Sequence, residues 1–211
     1  MNLNLGDTQD IISECKKQGL LRNQAAYVLA TAYWETGRTM RPVTEYGSTQ
    51  YLKSKPYWPY IGRGYVQLTW KENYEDWSKR LGVDLVKVPD KAKDPNIARV
   101  ILVKGMLLGT FTGKKLSDYI TLKRSDFKGA RRVVNGTDKA QQIADLATAY
   151  DKSLKDEGYG AKAPASPTGA SNGVSGTRTP EKTQSSSAGL SVANKGILAA
   201  ILAWLKRFSE S

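Results

Sequence analysis

Histidine is absent from this sequence, and cysteine occurs once, as Cys15. Without an imidazole base, hydrolases that use a Ser-His or Cys-His pair are excluded, and zinc enzymes with histidine ligands are excluded as well. A lone cysteine forms neither an intramolecular disulfide nor a thiolate metal site, so we expect no metal and no cofactor. The chemistry that remains is that of carboxylates, supported by hydroxyl, amide and aromatic side chains.

Acidic residues are in the minority, with 20 Asp and Glu against 32 Lys and Arg and a formal net charge of +12. Such a charge suits nucleic acid, an anionic membrane or an anionic wall polymer, or is simply solvated. No helix-turn-helix, finger or basic-aromatic platform is present, so nucleic acid is not an expected partner. The N-terminus also lacks the basic and apolar segments of a secretion signal. We therefore expect a cytoplasmic protein or one that another factor delivers.

Residues 1–160 predict one mainly α-helical domain with at most a small β element. Capping residues and apolar spacing indicate helices over 7–19, 23–37, 71–81, 96–108, 116–122, 125–134 and 137 to about 156. The segment 38–61 predicts a long loop with room for one short helix. Residues 64–70 alternate in polarity, which favours an extended piece or a small hairpin strand.

The composition changes after Gly160. Residues 161–189 consist mostly of Ala, Ser, Thr, Gly and Pro, which predicts a disordered linker because so little apolar surface can be buried. Residues 190–211 predict a cationic hydrophobic helix whose apolar run, 196–205, is too short to span a bilayer. We expect residues 195–208 to lie in a membrane interface, or alternatively to dock on the domain or self-associate.

Glu35 ends the second predicted helix. It shares a helical face with Val28, Thr31 and Ala32, and it lies in the last turn, at the negative end of the helix dipole. Both features favour a protonated carboxyl group, which is the form that a general acid needs. The alternative is an outward-facing, solvated glutamate.

Cleavage of a glycosidic bond requires a second carboxylate. Glu45 is the preferred partner, because its position in a polar loop keeps it ionised. The two environments would then give the two carboxyl groups different pKa values, as an acid and a base require. Glu72 and Glu75 are rivals, but they lie among lysines and arginines in a predicted helix and are typical of surface charge.

Three segments together carry a resemblance: Trp34-Glu35-Thr36-Gly37, then GRGYVQLTW-x-x-NY over 62–74, then Val134-Asn135-Gly136. The sequence over 24–150 resembles glycoside hydrolase family 19, which comprises plant-type chitinases and bacterial and phage endolysins with a lysozyme-like fold. It departs from that family in having Trp34 where histidine often precedes the acid, and in lacking the cysteines of the plant enzymes.

The resemblance implies an inverting hydrolase in which Glu35 is the general acid and Glu45 the general base, with Thr69 helping to hold the attacking water. Arg63 would pair with a catalytic carboxylate. The residues that would line or bind in the sugar cleft are Tyr65, Gln67, Asn73 and Asn135.

Among the functions of such a family, we expect a peptidoglycan-cleaving endolysin or a virion-associated lysozyme that acts as a monomer. It would be made in the host cytoplasm and would reach the wall after release or virion delivery. The positive charge favours the anionic bacterial wall over uncharged chitin. The alternatives are a chitinase and a non-catalytic glycan-binding component of a virion.

Overall fold

Helices form most of the fold. The computed structural model describes residues 1–160, so the predicted linker (161–189) and C-terminal helix (190–211) lie outside the described residues. The α-helices in that range are α1 (Thr8–Lys17), α2 (Arg22–Glu35), α3 (Thr49–Lys53), α4 (Lys71–Leu81), α5 (Pro95–Leu108) and α6 (Ala140–Asp156). Three 3-10 helices span Pro89–Lys93, Leu116–Asp118 and Gly129–Val133. The prediction of a mainly α domain is confirmed for these residues.

A two-stranded antiparallel sheet completes the domain. Its strands are β1 (Val43–Thr44) and β2 (Arg63–Gly64), with Val43 opposite Gly64 and Thr44 opposite Arg63. The extended piece predicted over 64–70 is therefore shorter than expected. Arg63 and Leu68 exchange both backbone hydrogen bonds, and Gln67 has a left-handed φ of 54°, so the chain turns back within five residues.

α2 is the central helix of the domain. Residues 24–32 are all buried, and α6 is the main helix packed against α2. The sequence predicted one apolar face, but the middle of α2 is buried all round, as expected for a helix without a polar side. Its alanines allow neighbouring elements to approach closely, and its C-terminal residue is Glu35.

Helix ends with strong local signals are confirmed. α4 ends at Leu81 and Gly82 follows with a left-handed φ of 65°, as a glycine C-cap requires. α5 begins with Pro95, and the Asp94 carboxylate accepts a hydrogen bond from the Asn96 amide at 2.8 Å.

Other predicted bounds were wrong. α2 begins at Arg22 rather than with an Asn23 cap; the Asn23 side chain accepts from the next amide, that of Gln24, and donates across the fold to the Thr121 carbonyl and the Ser125 hydroxyl. The helices predicted over 116–122 and 125–134 shrink to the 3-10 helices Leu116–Asp118 and Gly129–Val133. The Asp126 carboxylate accepts from the Gly129 amide, so it caps the second of these rather than lying inside a longer helix. α6 begins at Ala140 rather than at 137.

None of the helices within residues 1–160 has the length and apolar character needed to cross a membrane.

Candidate active site

Glu35 lies at the end of α2 with 1 % of its surface exposed. Its Oε1 accepts a hydrogen bond from Arg131 Nη1 at 2.6 Å, and neither side chain of this ion pair has any exposed surface. Arg131 lies in the 3-10 helix Gly129–Val133, and its Nε donates to the Asp138 carbonyl at 3.1 Å. The burial expected for Glu35 is present, but its pairing with a buried guanidinium was not predicted.

Asn135 lies four residues after Arg131, and its backbone amide donates to the Arg131 carbonyl at 2.9 Å. Three buried polar atoms of the group have no hydrogen-bond partner within residues 1–160: Glu35 Oε2, Arg131 Nη2 and Asn135 Nδ2. The Trp34 indole nitrogen, next to Glu35 in the chain, is a fourth. A buried polar atom without a partner costs about 1–3 kcal/mol, so the free oxygen of Glu35 and the free nitrogen of Arg131 leave hydrogen-bonding capacity within the ion pair itself.

Glu45 follows β1 and is buried, with 5 % of its surface exposed. This corrects the expectation of a solvated loop position. Oε1 accepts from the Tyr57 hydroxyl at 2.8 Å and Oε2 accepts from the Gly62 amide at 3.0 Å, while its own backbone amide donates to the Gly62 carbonyl at 2.7 Å. Burial and the bond to Glu45 raise the pKa of Tyr57, so this phenol remains a donor.

The turn after β2 holds Gln67 and Thr69, and Gln67 packs against Gly62, whose amide donates to Glu45. Gln67 Nε2 donates to the Val43 carbonyl at 3.3 Å, and its Oε1 occupies the space that a Cβ on Gly62 would need. The Thr69 hydroxyl donates to the Gln67 carbonyl at 2.8 Å and has no exposed surface. Both residues are therefore placed to shape the Glu45 site, and contact with substrate at Thr69 would require its surroundings to move.

Tyr65 lies in the core rather than on a cleft surface. It has no exposed surface, and its hydroxyl donates to Asp7 Oδ2 at 2.7 Å. Burial and the contact with Asp7 raise the pKa of Tyr65. The expected role of Tyr65 in lining the sugar cleft does not fit this position, because its polar end is already bound to the start of α1.

Arg63 does not pair with either proposed catalytic carboxylate. Its Nε lies 2.8 Å from Asp90 Oδ1, and its Nη1 donates to the Pro59 and Ile61 carbonyls and to the Tyr74 hydroxyl. Arg63 thus holds the segment before β2 in place. The expectation was wrong because Asp90, in the 3-10 helix Pro89–Lys93, is distant in sequence.

Asn73 is half-buried on α4, where its Nδ2 donates to the Thr69 carbonyl at 2.7 Å. The rival carboxylates on this helix remain unsuited to the chemistry. Glu72 is exposed, and Glu75 makes a partly exposed ion pair with Lys71 at 3.3 Å.

The predicted residues thus form two groups. One contains Glu35 and Asn135, joined through Arg131. The other contains Glu45, Gln67, Thr69 and Asn73, joined through Gly62 and the β2 turn. Within the described residues, no hydrogen bond or ion pair links the two groups. Both carboxylates are buried, and each has a different set of donors.

Two residues of the site were missed from the sequence. Arg131 belongs to a basic pair that is typical of a solvated surface, and Tyr57 lies in a segment crowded with aromatic residues. Neither position has a local signal for its partner, because Arg131 is 96 residues from Glu35 and Tyr57 contacts Glu45 across a loop.

No group of three or more Cys, Asp or Glu residues within residues 1–160 is arranged to hold a metal ion. Comparison with family models, curated proteins and solved structures found no match to this chain.

Proposed function

We propose that this chain is a glycoside hydrolase with a lysozyme-like domain that cleaves β-1,4 glycosidic bonds of bacterial peptidoglycan. The observation that carries the proposal is Glu35, a fully buried carboxyl group with one oxygen bound to Arg131 and the other without a hydrogen bond from any residue in 1–160. A free carboxyl oxygen in a water-poor setting suits a group that passes a proton to a leaving oxygen.

In the proposed reaction, Glu35 takes up a proton from solvent as the substrate binds and donates it to the glycosidic oxygen as the bond to the anomeric carbon breaks, while Arg131 stabilises the carboxylate that remains. Glu45 takes a proton from a water molecule, and that water oxygen forms the new bond to the anomeric carbon from the opposite face. The two donors to Glu45, Tyr57 and Gly62, support the ionised form that a base requires. Glu45 then releases that proton to solvent, and Glu35 is again the carboxylate paired with Arg131, so both groups are as they were before the reaction.

The side chains around the two carboxylates would bind and position the sugar. The buried amide nitrogen of Asn135 has no partner in the described part of the chain, which suits a hydrogen bond to a sugar hydroxyl or acetamide group. Gln67, Thr69 and Asn73 would act by shaping the Glu45 site. Arg131 contacts Glu35 directly and would position it.

Peptidoglycan is favoured over chitin because of charge. The chain carries a net charge of +12, which attracts an anionic polymer over a long range and offers little to an uncharged one. An endolysin or a virion-associated lysozyme fits this substrate. The cationic segment 195–208 would add contact with an anionic membrane.

The test is the Glu35→Gln variant in a turbidity assay on purified peptidoglycan. We expect loss of lysis by at least about 100-fold, because the amide cannot donate the proton that a general acid supplies. Glu72→Gln is the matched control, since it removes the same charge from an exposed position.

Circular dichroism should show the same helical content in both variants. If Glu35→Gln lyses peptidoglycan as fast as the parent, Glu35 is not the acid. If the parent binds peptidoglycan but never lowers its turbidity, the chain is a glycan-binding component rather than an enzyme.

A further inference from the structure

A cavity of ≈ 300 Å³ lies between the 3-10 helix Gly129–Val133 and the start of α6. It is lined by Asp126, Lys128, Gly129, Arg132, Thr137 and Ala140. The exposed side chains of Lys128, Arg132 and Thr137 bring two cations and a hydroxyl group to it. Such a set of donors suits a bound anion.

The charge of the cavity is positive. Neither Lys128 nor Arg132 makes an ion pair within the described part of the chain. Asp126 is the one acidic residue of the lining, and its carboxylate is already engaged. Its Oδ1 accepts from the Gly129 amide at 2.7 Å, and its Oδ2 lies 3.8 Å from Arg124. Two cations are therefore available for a ligand.

The backbone of α6 adds to this attraction. α6 is 17 residues long and begins at Ala140, with no side-chain cap from within residues 1–160. The Ala140 amide donates to the Thr137 carbonyl at 3.2 Å, so it is not free for a ligand. The backbone therefore favours an anion in the cavity only through the positive end of the helix dipole, in addition to the two cationic side chains.

The cavity is connected to Glu35 through Arg131. The 3-10 helix presents Arg131 inward to Glu35 and Arg132 outward to the cavity. Arg131 also binds the carbonyl of Asp138, which follows Thr137 in the turn that lines the cavity. A ligand group held there would be anchored to the same two segments that hold the partner of Glu35.

We propose that this cavity binds a carboxylate carried by the substrate, namely that of the peptide attached to the muramic acid of peptidoglycan. The inference rests on the proposed function, because the carboxylate belongs to that substrate. Chitin has no such group, so the cavity would distinguish the two glycans. Inorganic phosphate is also an anion that two cations would bind, so the experiment compares its binding with that of the carboxylate.

The probe is muramyl dipeptide, which has a free carboxylate and no glycosidic bond to cleave. Its affinity for the full-length chain is measured by NMR titration, with the backbone amides of Thr137 and Ala140 as reporters. We expect tighter binding of muramyl dipeptide than of its fully amidated, uncharged analogue. Lys128→Gln/Arg132→Gln should weaken binding about two- to thirty-fold, as for two partly exposed ion pairs, and should remove that preference.

Lys152→Gln/Lys155→Gln is the matched control, because it removes the same charge from exposed positions farther along α6. The control should bind like the parent. Equal weakening in both double variants would reduce the effect to net charge and overturn the proposal. Tighter binding of inorganic phosphate than of muramyl dipeptide at the same reporters would overturn it too.

The outcomes separate this inference from the proposed function. A chain that binds muramyl dipeptide in the cavity but fails the turbidity test keeps the carboxylate site and loses the hydrolase assignment. A chain that lyses peptidoglycan, while the Lys128 and Arg132 variant binds muramyl dipeptide as well as the parent, loses the carboxylate site alone.

Discussion

At the scale of single residues, the Glu35–Arg131 pair is a costly feature of the domain. Removing a carboxylate and a guanidinium from water costs several kcal/mol for each ion, and their attraction offsets this only when the geometry is good. Here one hydrogen bond of 2.6 Å joins them, and one further atom of each group has no partner. A well-packed apolar pair would meet no such cost, so we interpret the pair as serving chemistry rather than stability.

Arg131→Met leaves Glu35 buried without its partner. We expect the free energy of unfolding to fall by about 3–5 kcal/mol, because an uncompensated buried charge is strongly unfavourable. Glu35→Leu/Arg131→Met removes both charges and should recover most of this loss. Urea denaturation measures both values, and a single variant that loses less than about 1 kcal/mol would contradict a buried ion pair.

Tyr57→Phe removes the hydroxyl that donates to Glu45 Oε1. If Glu45 is the base, we expect kcat to fall about tenfold, and the acidic limb of the pH–rate profile to move to higher pH, because the carboxylate loses a donor. Tyr51→Phe is the control, since Tyr51 is 40 % exposed on α3 and should leave the profile unchanged. An identical profile for both variants would remove Tyr57 from the site.

At the scale of elements, helix ends that depend on local capping residues were predicted from the sequence, and features that depend on tertiary contacts were not. Gly82 and Asp94-Pro95 fixed the bounds of α4 and α5 because capping depends on neighbours within a few residues. The helix predicted over 125–134 is only the 3-10 helix Gly129–Val133, and the Asp126 side chain caps its start by accepting from the Gly129 amide. Apolar spacing does not show where such a side-chain cap begins a helix.

The candidate site divides in the same way. Burial of Glu35 was predictable from the apolar helix around it, but Arg131, Tyr57 and Asp90 entered the network from distant parts of the chain. Pairing over such separations depends on how the elements pack, which single-sequence patterns do not encode.

Gly105, inside α5, tests packing against helix propensity. Alanine is favoured over glycine in a helix by about 1 kcal/mol, so propensity alone predicts that Gly105→Ala stabilises the domain. A Cβ at this position would overlap the buried Phe111 ring, so we expect a loss of about 1–3 kcal/mol instead. Gly105→Ala/Phe111→Leu should recover part of it, and a higher melting temperature for Gly105→Ala would contradict the packing.

At the scale of the whole molecule, buried phenols link stability to pH. Burial raises the pKa of six tyrosines, and the pKa of Tyr74 reaches about 12. They are Tyr27, Tyr57, Tyr65, Tyr74, Tyr150 and Tyr159. The folded chain therefore keeps these phenol protons at pH values where the same tyrosines in the unfolded chain have already ionised. Ionisation in that range stabilises the unfolded chain and not the folded one.

We therefore expect stability to be retained below about pH 10 and to fall as the pH rises toward 12, where the unfolded chain binds fewer protons than the folded one. Melting temperatures across this range measure the effect, and ultraviolet absorbance of phenolate reports the ionisation. The chain has eleven tyrosines, so a rise in phenolate absorbance larger than the other five can supply, before any fall in melting temperature, would contradict burial of these hydroxyl groups.

The positive charge acts over the whole molecule as well. It draws the chain to an anionic wall, while Lys128 and Arg132 would act locally on one carboxylate. Added salt should weaken the long-range attraction, which depends on net charge, whereas the local effect depends on the positions of these two side chains.

Mass spectrometry of the fragments released from purified peptidoglycan tests the central claim most directly. We predict glycan fragments with reducing sugar ends, each carrying one added water for every bond cleaved, from the parent and from Glu72→Gln but not from Glu35→Gln. Anhydro sugar ends, free peptides with uncut glycan strands, or fragments from Glu35→Gln in the parent's yield would contradict hydrolysis by Glu35.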